Sequence, residues 1–202
     1  ASAYDNAGNK GTATYRLNVI AEDKNPPSLQ FYPSAKYEYS DRTTSVSVTS
    51  SENVKVASRE LYLDGKKLEN NGKSNEIPEY YYTDYYEFKT YEIGLGNHTF
   101  KAIATDSSGN KTEQEKVFTV IDTTAPAISF EGNNYFNTGD NAVLTLKITE
   151  LSEIESVTGT LNGESISLEK IGEQTLTIEN APAGTYEYSV TARDISGNAR
   201  TV

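Results

Sequence analysis

The chain has 202 residues, with 29 acidic against 18 basic for a net charge of −11, no cysteine and one histidine. This composition excludes disulfides and thiolate metal sites, and a single imidazole builds neither a His-based triad nor a multi-His zinc site. The negative charge repels phosphate backbones and anionic lipid surfaces, so nucleic acid is not an expected partner. No apolar run approaches the ~20 residues that a bilayer requires, so direct membrane insertion is not expected either.

Helical periodicity is nearly absent. In chain order, alternating stretches at 12–20 (TATYRLNVI), 44–50 (TSVSVTS), 98–105 (HTFKAIAT), 115–121 (EKVFTVI), 142–149 (AVLTLKIT) and 185–192 (TYEYSVTA) each predict a strand with one buried face. Between them LDGKK (63–67), DSSGN (106–110), LNGES (161–165) and NAPAGT (180–185) predict turns at the spacing of an antiparallel sandwich. The expected fold class is all-β.

One string is written three times, as AYDNAGNKG from Ala3, ATDSSGNKT from Ala104 and ARDISGNAR from Ala192, a period close to one small β-sandwich. Two full repeats align around it. PPSLQF from Pro26 matches APAISF from Ala125, and ELYLDGKKL from Glu60 matches TGTLNGESI from Thr158. The expected organisation is a final hairpin of a preceding domain over 1–22, a first full domain over 23–122, and a second over 123–202 that lacks its last strand. The chain reads as a piece of a longer array. A sandwich without its last strand exposes an unpaired edge, so head-to-tail strand exchange between copies is an expected mode of association. The first domain carries a Tyr-rich insertion at about 70–91, with Tyr at 80, 81, 82, 85, 86 and 91. Rigid aromatic rings with hydroxyl tips suit contact with sugars or proteins, which makes Tyr81, Tyr82, Tyr85 and Tyr86 candidate ligand-binding residues. Packing against a core or sheet edge is the alternative reading of the same run.

With this order in hand, A-x-D-x-x-G-N followed by a strand and then DTTAP (122–126) resembles the tandem bacterial Ig-like repeats of large surface adhesins and multidomain secreted proteins. Asp5, Gly8 and Asn9, then Asp106, Gly109 and Asn110, then Asp194, Gly197 and Asn198 carry the resemblance, together with Asp122 to Pro126. The first linker, AEDKNPP, departs from it. The resemblance implies tandem Ig-like antiparallel β-sandwiches, an extracellular location at the bacterial surface or after secretion, a spacer, stalk or adhesion role without catalysis, and a host-surface protein or glycan as partner. It also implies calcium at the joints of some members.

The hairpin that holds D-x-x-G-N lies at the N-terminal end of its domain and faces the domain before it. Turn chemistry alone accounts for the motif, with glycine supplying positive φ and aspartate accepting backbone N–H groups. Topology also brings the linker Asp122 and the Glu150 and Glu153 loop to the pole of Asp194 and Asn198, and Asp23 and Glu52 to that of Asp106. Like charges so gathered favour a hard cation with oxygen ligands, so Asp122, Asp194, Glu150, Asn198, Asp23, Asp106 and Glu52 are candidate calcium ligands. No catalytic residue is expected, because His98 stands alone and no carboxylate pair is marked above the rest.

Overall fold

The computed structural model describes residues 1–18, 21–52, 55–70, 75–77 and 81–202, with the side chains of 75–77 and 81 left aside. It opens with a small hairpin, β1 (Ser2–Tyr4) and β2 (Lys10–Thr12), turned by the first D-x-x-G-N string.

Two sandwiches follow. In the first, β3 (Ser28–Phe31), β5 (Thr43–Ser51), β9 (Tyr81–Lys89) and β8 (Asn75–Ile77) form one sheet in the order β3-β5-β9-β8. The facing sheet runs β4-β11-β10-β6-β7, from β4 (Lys36–Glu38), β6 (Val56–Leu63), β7 (Lys66–Lys67), β10 (Gly96–Asp106) and β11 (Lys111–Ile121). A short helix, α1 (Thr90–Ile93), links β9 to β10. The chain changes sheets between β3 and β4 at Pro33, a residue with no N–H to give a ladder. Here β4 pairs parallel with β11 while the other partners run antiparallel.

The second sandwich repeats the plan. One sheet is β12-β13-β16, from β12 (Ala127–Gly132), β13 (Ala142–Thr149) and β16 (Gly172–Ile178). The other is β15-β14-β17-β18, from β14 (Ile154–Leu161), β15 (Glu164–Ile166), β17 (Tyr188–Asp194) and β18 (Ala199–Thr201). The chain is therefore all-β and built as tandem Ig-like sandwiches, with strands that change sheets and return as Greek keys.

Each sandwich has its own core. The first is aromatic: Phe31, Phe88, Phe100 and Phe118 are buried, Phe100 stacks on Phe118 at 4.4 Å, and Phe88 meets Phe100 edge-on at 5.3 Å. The second is aliphatic, from Ile128, Leu146, Ile148, Leu176, Val190 and Ala192. Each large side chain so buried contributes about 1.5–3 kcal/mol.

The Tyr-rich run is not an excursion from this plan. Residues 81–89 are β9, paired with β5 along its whole length and occupying the place that β16 takes in the second sandwich. Asp84, Tyr86 and Phe88 alternate into the core. Tyr86 is 1% exposed and its hydroxyl donates to the Arg59 carbonyl, so its assignment as a ligand-binding residue is corrected to a core role. Burial pushes that hydroxyl's pKa up, with Asp84 adding to the shift. Tyr82 is half-buried beneath the Arg59 guanidinium, 4.5 Å from the ring centroid, and Tyr85 is half-buried opposite Ser47. Tyr80 and the Tyr81 side chain lie outside the described residues.

Candidate functional site at the domain joints

The three D-x-x-G-N turns have one internal geometry. The aspartate N–H donates to the asparagine carbonyl at 3.0–3.1 Å, and the glycine N–H donates back to the aspartate carbonyl at 3.0–3.3 Å. The glycines take φ of +85° to +91°, where a side chain would be strained. Aspartate Oδ1 accepts the asparagine N–H at 2.9 Å in all three, and Oδ2 accepts the asparagine amide Nδ2 at 2.8–2.9 Å. The carboxylate is thus held on both oxygens by one asparagine.

The amide has a second hydrogen, and its use separates a hairpin from a joint. Asn110 Nδ2 donates to the Asp23 carbonyl at 3.1 Å, and Asn198 Nδ2 donates to the Asp122 carbonyl at 3.1 Å. Each turn therefore ties down the linker that enters its own domain. The loop between β5 and β6 in the first sandwich, and that between β13 and β14 in the second, joins the same pole, because Ser107 N–H donates to the Lys55 carbonyl and Ile195 N–H to the Glu153 carbonyl. Asp106 and Asp194 are buried there, whereas Asp5 is exposed. Burial pushes the Asp106 carboxyl up, but the Asn110 amide and the N–H groups of Asn110, Ser108 and Gly109 outweigh it and hold it below its usual value. For Asp5 the Asn9 amide is the main cause of the same downward shift.

The linkers are built alike. Asp23 Oδ1 accepts the Asn25 N–H at 3.0 Å and Asp122 Oδ1 accepts the Thr124 N–H at 3.0 Å. The other oxygen of each, Oδ2, is buried without a hydrogen-bond partner. The second linker is also gripped from the first sandwich: Glu38, at the end of β4, accepts the Thr123 N–H at 2.7 Å, the Thr123 hydroxyl at 3.0 Å and the Thr124 hydroxyl at 3.2 Å. Asp122–Thr124 is consequently held by Glu38 on one side and Asn198 on the other. Glu38 escaped the sequence reading because nothing in KYEYS distinguishes it from any exposed strand-end carboxylate.

Of the candidate ligands, Asp122, Asp194 and Asn198 come together at one joint, and Asp23 and Asp106 at the other, bridged by Asn110. Glu150 turns back on its own loop, where Oε1 accepts the Leu151 and Ser152 N–H groups at 2.6 and 3.2 Å. Glu52 follows β5 and has an interaction of its own. Among the described residues no three acidic, histidine or cysteine side chains gather into a metal-holding group. What each joint offers a cation is one open, buried carboxylate oxygen beside an Asp–Asn pair. His98 serves the opposite pole, with Nδ1 2.7 Å from Asp64 Oδ2 and Nε2 3.1 Å from the Gly94 carbonyl.

No known protein family and no curated protein matches the sequence. Among solved structures, the chain is similar to the fibronectin(III)-like modules of Clostridium thermocellum CbhA, at 18% identity over 87% of this chain and 90% of that one, with a TM-score of 0.34. It is also similar to the N-terminal Ig1-2 module of a Drosophila receptor protein tyrosine phosphatase, at 17% identity over 88% and 95% with a TM-score of 0.36. A titin Ig tandem is similar at 14% identity over 87% and 93%, with a TM-score of 0.36.

Proposed function

We propose that this chain is a non-catalytic structural and adhesion module, a spacer or stalk of a bacterial cell-surface or secreted protein, whose joints are set by the D-x-x-G-N turn. The observation that carries the reading is the double grip on Asp122–Thr124, by Glu38 from the domain before it and by Asn198 from the domain after it. A linker bonded to both neighbours has few conformations left, and a stalk needs a fixed reach. The test is small-angle scattering on the double variant Glu38→Ala, Asn198→Ala. The expected result is a broader distribution of maximum dimension with both sandwiches still folded; an unchanged profile would sink the reading.

A second reading, carried by the orphaned Oδ2 atoms of Asp122 and Asp23, adds calcium to the joints. Asp122, Asp194 and Asn198 would hold the ion at one joint and Asp23 and Asp106 at the other, with Glu150 and Glu52 as the further carboxylate ligands of the two joints. A bound cation would cancel the charge of the buried carboxylates and stiffen the hinge. Calcium at about a hundred times its dissociation constant stabilises the folded state by about 2.7 kcal/mol, so a melt with calcium should exceed one with chelator by several degrees. Identical melts and scattering profiles in the two buffers would remove the ion from the account.

A further inference from the structure

Glu38 grips the linker through its carboxylate, and its own backbone is held from α1. Thr90, the first residue of that helix, is 2% exposed. Its hydroxyl donates to the Glu38 carbonyl at 2.7 Å and accepts the Ser40 N–H at 2.8 Å, while the Tyr91 N–H donates to the Ser40 carbonyl at 3.2 Å. A buried hydroxyl so satisfied makes α1 and the turn after β4 one unit. The far end of the helix is tied to the only histidine. The Gly94 N–H returns to the Thr90 carbonyl at 3.1 Å, and the Gly94 carbonyl lies 3.1 Å from His98 Nε2. His98 Nδ1 lies 2.7 Å from Asp64 Oδ2, and the residue is 9% exposed.

Both polar partners of the imidazole are acceptors, so only the doubly protonated ring donates to both. A neutral ring that keeps its bond to Asp64 turns a lone pair toward the Gly94 carbonyl and loses that bond. Asp64, from the turn between β6 and β7, is the charged group set against the ring; β11 meets it with the Phe118 ring, centroids 5.5 Å apart, and α1 with the Gly94 carbonyl. Burial pushes the Asp64 carboxyl up, but His98 and the Thr99 N–H outweigh it and hold it below its usual value, so it stays an acceptor through the neutral range.

We propose that α1 seats Glu38 on the linker and that the charge on His98 sets how firmly it does so. With the ring charged, bonds run unbroken from Asp64 through His98, Gly94 and Thr90 to Glu38, and so to Thr123 and Thr124. A helix of one turn has little stability of its own and depends on what holds its ends. Histidine exchanges its proton between about pH 5 and pH 8, so the joint is stiff on the acid side and looser on the alkaline side. The inference rests on the stalk reading, because it regulates the same joint. Thr90 is here a positioning residue that acts through Glu38.

Small-angle scattering of the chain at about pH 5.5 and about pH 8 tests this. The expected result is a broader distribution of maximum dimension at the higher pH, from a shift of about fivefold in the ratio of seated to unseated joint for one lost hydrogen bond. His98→Gln, which titrates nothing in this range, is expected to give one profile at both. Thr90→Val keeps the shape without the hydroxyl and should give the broad profile at both, and Thr90→Ser should restore the parent's response. A measurement on the parent needs no variant: the single imidazole is followed by nuclear magnetic resonance, and the Thr123 amide resonance should titrate with the same midpoint. A parent profile indifferent to pH, a His98→Gln profile that moves as the parent's does, or a Thr123 resonance that ignores the ring overturns the proposal. If the double variant Glu38→Ala, Asn198→Ala still broadens the profile, only the switch has failed; if that variant too is without effect, the stalk reading falls with it.

Discussion

Asn198 and Asn110 each donate from the side chain to the aspartate four residues before and to a linker carbonyl about 80 residues away in sequence, and Asn110 also reaches the Asn25 carbonyl at 3.4 Å. The first bond belongs to a turn and is readable from D-x-x-G-N; the second belongs to the fold and is not. The Asp106 carboxyl is held below its ordinary value of 3.8, so its contribution is complete above that value and is lost as pH falls through the lower folded value. Asp106→Asn is therefore expected to lower stability at neutral pH and to flatten its decline below about pH 4. Urea midpoints taken from about pH 7 to about pH 3 check this, and parallel curves for variant and parent would contradict the role given to the carboxylate. Glu38 shows the opposite case, a residue whose importance arises only from what the fold sets beside it.

At the scale of elements, β9 shows how a charged residue can conceal a core strand. The run YYTDYYEFK alternates inward at Asp84, Tyr86 and Phe88, but an aspartate at an inward position breaks the apolar period that would have announced it. The structure supplies the missing partner. Arg59 on β6, in the facing sheet, makes a bidentate ion pair with Asp84, and Tyr82 covers the guanidinium. Breaking such a pair leaves a buried charge alone, so Asp84→Ala is expected to cost about 3–5 kcal/mol, whereas the apolar double variant Arg59→Leu, Asp84→Leu should recover most of it. Chemical denaturation of the three chains decides the point; equal losses in the single and double variants would show that the charges do not act as a pair.

For the molecule as a whole, the two cores share no residue, and what joins the sandwiches is the linker with its bonds to Glu38 and Asn198. Each sandwich should unfold as its own cooperative unit. Phe100→Ala, which opens the aromatic core, is expected to lower one calorimetric transition by the equivalent of about 3–5 kcal/mol and to leave the other in place. A single transition that moves as one would mean that the sandwiches are energetically fused.

Fold class, the repeat and the three turns are local matters, set by side-chain alternation, turn residues and glycine φ, and the amino-acid order determines them unaided. Which carboxylates meet at a joint and which tyrosines are core depend on contacts between residues distant in sequence. Asn110 reaches Asp23, Glu38 reaches Thr123 and Arg59 reaches Asp84 only after the sheets have stacked, because burial and hydrogen-bond partnership are properties of the packed chain.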